Sequence, residues 1–132
     1  MLRIAQRVIS ELVAHARKDA PVEACGYLAE RETIVAEAIP LTNLDGSCEH
    51  FTLDPAEQFA ALRRMRADGL KLNGVYHSHP SAPARPSLED IRFANDPNLS
   101  YVIVSLSAEV PDIRSFRIQG GHTTEEELIV EQ

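Results

Sequence analysis

The chain has 132 residues, 44% apolar and 25% charged, which is enough for one domain over residues 1–132 with its own core and is unlike a disordered composition. Thirteen basic residues against twenty acidic ones leave a net charge of −7, the wrong sign for a protein that tracks nucleic-acid phosphates. No apolar run approaches the about 20 residues that span a bilayer, charges interrupt the N-terminal segment from Arg3 to Glu11, and Cys25 and Cys48 lack CxxC spacing, so a reduced, cytoplasmic setting without membrane is expected.

Residues 4–18 carry the pattern of an amphipathic helix. Ile4, Val8 and Leu12 recur every four residues, Ile9 and Val13 widen the stripe, and Arg3, Arg7 and Glu11 take the other side. Pro21 closes that segment. Residues 24–29 and 33–39 read as two strands around the polar turn Glu30-Arg31-Glu32, and the stretch from Leu41 to His50 reads as a loop containing Asp45-Gly46.

Residues 51–53 suggest a short strand. Asp54 then has the character of an N-cap, with Pro55 at the first helical position, and a helix over 55–68 follows. Its expected buried stripe is Phe59, Leu62 and Met65, and Gly69 stops it. Residues 72–79 read as a strand. Residues 80–86 hold three prolines and form a stiff non-helical loop. Ser87 caps a short helix to about residue 95, and residues 100–106, 112–118 and 123–130 are strands. This order suits an α+β fold on one sheet.

The segment from His77 to Asp90 carries the chemistry. Residues two apart on a strand face the same side, so His77 and His79 project together while Ser78 turns away. Asp90 follows eleven residues later, across a loop stiff enough to return it over the two rings. Two neutral imidazoles and one carboxylate suit zinc, and three protein ligands leave a fourth position open, as catalytic rather than structural zinc sites do. Hydrolysis there also needs a proton acceptor outside the ligand set and a group to stabilise an oxyanion. Ser87, one helical turn before Asp90, carries a hydroxyl within reach of such a site. Ser-x-x-Asp is also close to a capping box, so the same pair can serve to start the helix. Glu23 stands at the mouth of a strand able to lie beside 72–79, and Gly26 permits close backbone approach. Cys25 sits inside an apolar strand, where a buried, unreactive thiol is expected. His15, His50 and His122 lack metal spacing, and Arg63-Arg64-Arg66 reads as a solvated helix face.

An upstream glutamate, then His77-Ser78-His79, seven residues beginning with Pro80, then Ser87, two residues and Asp90, resembles the full signature of the JAMM (MPN-plus) metallopeptidases. The resemblance covers essentially the whole chain. It implies a central mixed β-sheet flanked by helices, similar in architecture to the cytidine deaminases. It implies His77, His79 and Asp90 as ligands to one Zn²⁺ per chain, Glu23 as general acid/base and Ser87 as support for the tetrahedral intermediate. The chain lacks an evident insertion after Asp90 of the kind that eukaryotic members use to grip ubiquitin, and its compact outline resembles the small prokaryotic members. Those remove groups from the Gly-Gly terminus of ubiquitin-like sulfur carriers, one of them used in cysteine synthesis. A ubiquitin-like or sulfur-carrier partner with a Gly-Gly tail is therefore implied, with a narrow groove that only small residues thread, in extended form, pairing with a sheet edge. A non-catalytic MPN-type scaffold is the alternative, and such modules lack parts of the signature. A structural zinc would need a fourth protein ligand, for which Cys25 is the candidate.

Overall fold

The computed structural model describes residues 1–132 as three helices and one eight-stranded mixed sheet. The elements are β1 (Leu2–Ala5), α1 (Gln6–Asp19), β2 (Cys25–Arg31), β3 (Ile34–Leu41), α2 (Pro55–Ala67), β4 (Lys71–His79), α3 (Leu88–Phe93), β5 (Ser100–Ser105), β6 (Asp112–Gln119), β7 (His122–Glu126) and β8 (Leu128–Glu131). The α+β class with a single mixed sheet is as expected. No helix is long and apolar enough to cross a membrane.

The strand order is β7-β6-β5-β4-β2-β3-β1-β8, with β4 parallel to β5 and β1 parallel to both β3 and β8. β7 and β8 are separated in the chain by Glu127 alone, yet they stand at opposite ends of that order. The sheet therefore curls until its two ends meet, and the Leu2 amide donates to the Glu127 carbonyl at the junction. A single strand over 123–130 was expected. The break arises because one half of this polar stretch pairs with β6 and the other with β1.

Inside the curl lies α1. Val8, Leu12 and Ala16 pack on Leu28, Val35, Tyr76, Val102 and Val104. Ile4 belongs to this cluster but to β1 rather than to the helix, because alternate strand residues Leu2 and Ile4 point inward in line with the helical stripe. On the other face, α2 covers Tyr27, Ala29, Ile39 and Leu41, while Ile91 and Ala94 pack on Ile103, Phe116 and Ile118. β4 runs between these two patches, with β2 on one side and β5 on the other.

Three local expectations are corrected. On α2 the buried residues are Ala61 and Met65, while Phe59 and Leu62 face outward. Ala61 lets the helix lie close to the sheet, and the Arg63 guanidinium sits over the exposed Phe59 ring. Residues 51–53 form no strand, only an isolated bridge between Leu53 and Asn43. The β2–β3 turn falls on Glu32-Thr33, both at positive φ, rather than on 30–32. The Asp54 cap holds: its carboxylate accepts from the Ala56 amide at 2.9 Å, with Pro55 behind it.

Gly26 is required by packing. A Cβ there would collide with the Ile39 carbonyl oxygen and lie 2.6 Å from the Tyr76 hydroxyl. Tyr76 is buried and its hydroxyl pairs with His15 Nδ1 at 2.7 Å, so the ring has nowhere to move. Gly26→Ala is expected to cost about 1–3 kcal/mol through overpacking, read as a lower midpoint with unchanged slope in urea unfolding.

Candidate metal centre

β4 ends by presenting His77 and His79 on the face opposite Tyr76 and Ser78. The chain then turns through the proline loop, and α3 returns Asp90 to the same point. His77 Nε2, His79 Nε2 and Asp90 Oδ2 form a triangle with every edge 3.1 Å. All three side chains are buried. The sequence spacing therefore does what it suggested: the stiff loop brings the carboxylate over the rings.

Two features fit a bound cation. Ligands at about 2.0–2.1 Å around a tetrahedral ion lie about 3.3–3.4 Å apart, close to the edges of this triangle. The tautomer argument is stronger. His79 Nδ1–H donates to the Pro83 carbonyl at 2.7 Å, so a neutral His79 turns its Nε2 lone pair toward Asp90 Oδ2 and His77 Nε2. Lone pairs that converge in a buried site need a proton or a metal ion between them. Burial alone would raise the Asp90 carboxyl and lower the His79 imidazole. Their mutual hydrogen bonds override it, holding Asp90 well below the usual carboxylate range and raising His79, which the Pro83 carbonyl also favours.

Ser87 and Asp90 form a reciprocal capping box. The Ser87 amide donates to Asp90 Oδ2 at 2.9 Å and the Asp90 amide donates to Ser87 Oγ at 3.0 Å. That bond uses a lone pair of the hydroxyl and leaves its proton free to donate. The structural and chemical readings of Ser87 are thus compatible.

Glu23 lies at the end of the segment leading into β2. It is 2% exposed, and its Oε1 has no hydrogen-bond partner. Burial pushes its carboxyl up to about 8; the His79 imidazole works against this and the Asp90 carboxylate with it. Glu23 is thus a buried carboxyl with an unpartnered oxygen, close enough to His79 and Asp90 to feel the charge of both. The expectation of strand-mouth placement holds, and the depth of burial comes from loop 42–53. There Asn43 Nδ2 donates to the carbonyls of Glu23 and His50, both at 3.1 Å, while Asn43 Oδ1 accepts from the Asp45 and Thr52 amides. The Glu23 amide donates to the Ser47 carbonyl at 2.8 Å. The same loop stacks Phe51 on His77, centroids 4.8 Å apart. Sequence reading missed Asn43 and Phe51; the turn-rich Asn43-Leu44-Asp45-Gly46 run was the only local sign.

Cys25 stands directly across from His77 in the β2–β4 register but outside the donor triangle. Its Sγ is 3.7 Å from the Leu41 carbonyl, and burial with neighbouring carboxylates pushes the thiol up to about 12. His50 pairs with Asp45 at 2.8 Å rather than joining the centre. A cavity of about 640 Å³ opens beside His77 and Asp90, between the loop and α2 on one bank and α3 on the other. It is roomier than a groove for two glycines. β4 is also an interior strand, so the expected pairing with a free sheet edge is not available at the strand that bears the histidines.

The family described as prokaryotic homologs of the JAB domain matches residues 5–119. The chain is 39% identical over 137 residues to the CysO-cysteine peptidase of Mycobacterium tuberculosis, covering 100% of this chain and 93% of that protein. It is 37% identical over 122 residues to a protein of Thermus thermophilus named probable TtuB-protein conjugate cleaving protease, covering 92% of this chain and 78% of the relative. Among solved structures, a protein of Desulfitobacterium hafniense determined in solution is 44% identical with a TM-score of 0.92, covering 100% of this chain and 94% of the other.

Proposed function

The chain belongs to the family of prokaryotic homologs of the JAB domain, and we propose that it is a zinc-dependent peptidase cutting the bond that follows the C-terminal Gly-Gly of a ubiquitin-like or sulfur-carrier protein. It is a hydrolase of the peptidase class, as its named relatives are. The reading takes residues 1–132 as one catalytic domain. The observation that carries it is the triangle of His77, His79 and Asp90 beside the unpartnered carboxyl of Glu23. The mycobacterial relative's name supports a carrier–cysteine adduct as substrate, and the Thermus relative's name supports a carrier joined to another protein.

In this reading His77, His79 and Asp90 would hold one zinc ion, which when bound supplies a Lewis acid and makes water easier to ionise. The chain's own groups do the rest. Pro83 fixes the His79 tautomer through Nδ1, which keeps Nε2 available as a ligand atom. Glu23 takes a proton from the attacking water. Oxygen bonds to the carbonyl carbon of the terminal glycine, and the Ser87 hydroxyl donates to the oxyanion that develops. The carbon–nitrogen bond then breaks, and Glu23 returns its proton to the leaving amine. Burial of Glu23 suits a group that must accept and release one proton per turnover.

The test is metal analysis of purified protein followed by two substrates, a carrier ending in Gly-Gly joined to cysteine and the same carrier joined to a lysine side chain. Near one zinc per chain and release of the free Gly-Gly terminus from at least one conjugate are expected. A chelator should stop the reaction and added zinc should restore it. Zinc-loaded protein that cleaves neither conjugate would overturn the reading.

A further inference from the structure

The face of the sheet that carries the histidines is built in rungs. Cys25, His77 and Ile103 are aligned across β2, β4 and β5, and one step back along the strands Tyr27, Val75 and Tyr101 are aligned in the same way. Successive same-face rungs lie about 6.6–6.8 Å apart, two residues of strand. The cavity beside the centre stands over this second rung. Tyr27, Val75, Tyr101 and Ile103 form its floor, with Phe93 of α3 and Leu53 of the loop on its banks. It extends to one side of the centre only, because beyond His79 the chain turns into the proline loop. No lysine or arginine lines it, while Asp45, Glu89, Asp90 and Asp96 do.

Two glycines would leave this apolar space empty. An extended peptide whose carbonyl sits at the centre repeats with the same two-residue pitch as the strand below it. Its side chain two residues upstream therefore falls over the second rung. We infer that this cavity is a specificity pocket for a large, uncharged, apolar side chain on the residue immediately before the Gly-Gly of the substrate. The inference rests on the proposed function for the position of the attacked carbonyl. The floor supplies buried apolar contact, and Glu89 and Asp96 on the rim, with no Lys or Arg in the lining, disfavour an acidic side chain.

Three peptides ending in X-Gly-Gly, with X as Leu, Ala or Asp, test this in two ways. Their binding to the wild-type protein as free acids is measured by calorimetry, and conjugates carrying the same three tails are assayed for cleavage. The Leu peptide is expected to bind with a Kd about 10- to 100-fold lower than the Ala peptide and the Leu conjugate to be cleaved with a kcat/KM higher by the same factor, the scale of burying the extra apolar atoms, with Asp bound and cleaved less well than Ala. Phe93→Ala and Val75→Asp should each shrink the Leu-to-Ala ratio to less than about threefold. Phe93 is 63% exposed, so its variant reports on the pocket even where Val75→Asp fails to fold. Equal handling of all three tails, or an undiminished ratio in Phe93→Ala, would overturn the pocket while leaving Gly-Gly hydrolysis standing. Cleavage of none of the three conjugates would instead overturn the proposed function, and the binding ratio would still decide the pocket.

Discussion

Replacing Glu23 with Gln is expected to lower kcat by about three orders of magnitude or more while zinc content stays at the wild-type level. General acid/base groups contribute about 10²–10⁴ each, and Glu23 is asked to act twice, first on the water and then on the leaving amine. Gln fills the same buried volume, and the backbone that aims the side chain is held by Ser47 and Asn43, which the substitution does not touch. Glu23 also lies outside the donor triangle, so metal content should not change. Full activity in the variant would remove Glu23 from its role. The metal-free protein offers a second readout. Burial raises the Glu23 carboxyl from 4.5 to about 8, so between those values the folded state binds more protons than the unfolded state. Stability of the metal-free wild type should therefore fall as pH rises from about 4.5 to about 8, and Glu23→Gln should lack that component. Urea unfolding at pH 5 and pH 8, with chelator present, measures the difference.

The ligand triangle was legible because its spacing is local chemistry. His77 and His79 share a face by strand alternation, and three prolines within 80–86 leave the return of Asp90 few alternatives. Glu23 was legible only through resemblance, since nothing near it in sequence says that it is buried. That burial is tertiary: loop 42–53 folds around the Asn43 amide and closes over the glutamate. The stripe of α2 failed for a related reason. Phe59, Leu62 and Met65 have the spacing of a buried face, but so do Ala61 and Met65 with their neighbours, and periodicity cannot choose between adjacent stripes. The sheet chose the one whose small residue lets the helix approach. The meeting of β7 and β8 pairs both ends of the chain with distant strands, a contact that no local pattern records.

Asp90→Asn is expected to reduce bound zinc from near one per chain to less than about a tenth after dialysis, because only two neutral imidazoles remain in the donor set. Loss of a supporting partner to a ligand costs about 10–100-fold in metal affinity, and loss of a charged ligand should exceed that. The fold should survive. The Asn amide oxygen can still accept from the Ser87 amide, so the start of α3 keeps its cap. The comparison that decides the matter is thermal unfolding with and without chelator. Wild type should lose thermal stability when chelated, because the ion binds only the folded state. Asp90→Asn should show no such shift. Asp90→Ala, which removes the carboxylate half of the capping box as well, should fall below Asp90→Asn by about 1 kcal/mol. A variant Asp90→Asn that holds zinc one to one would show that the Asp90 carboxylate is not needed to hold the ion.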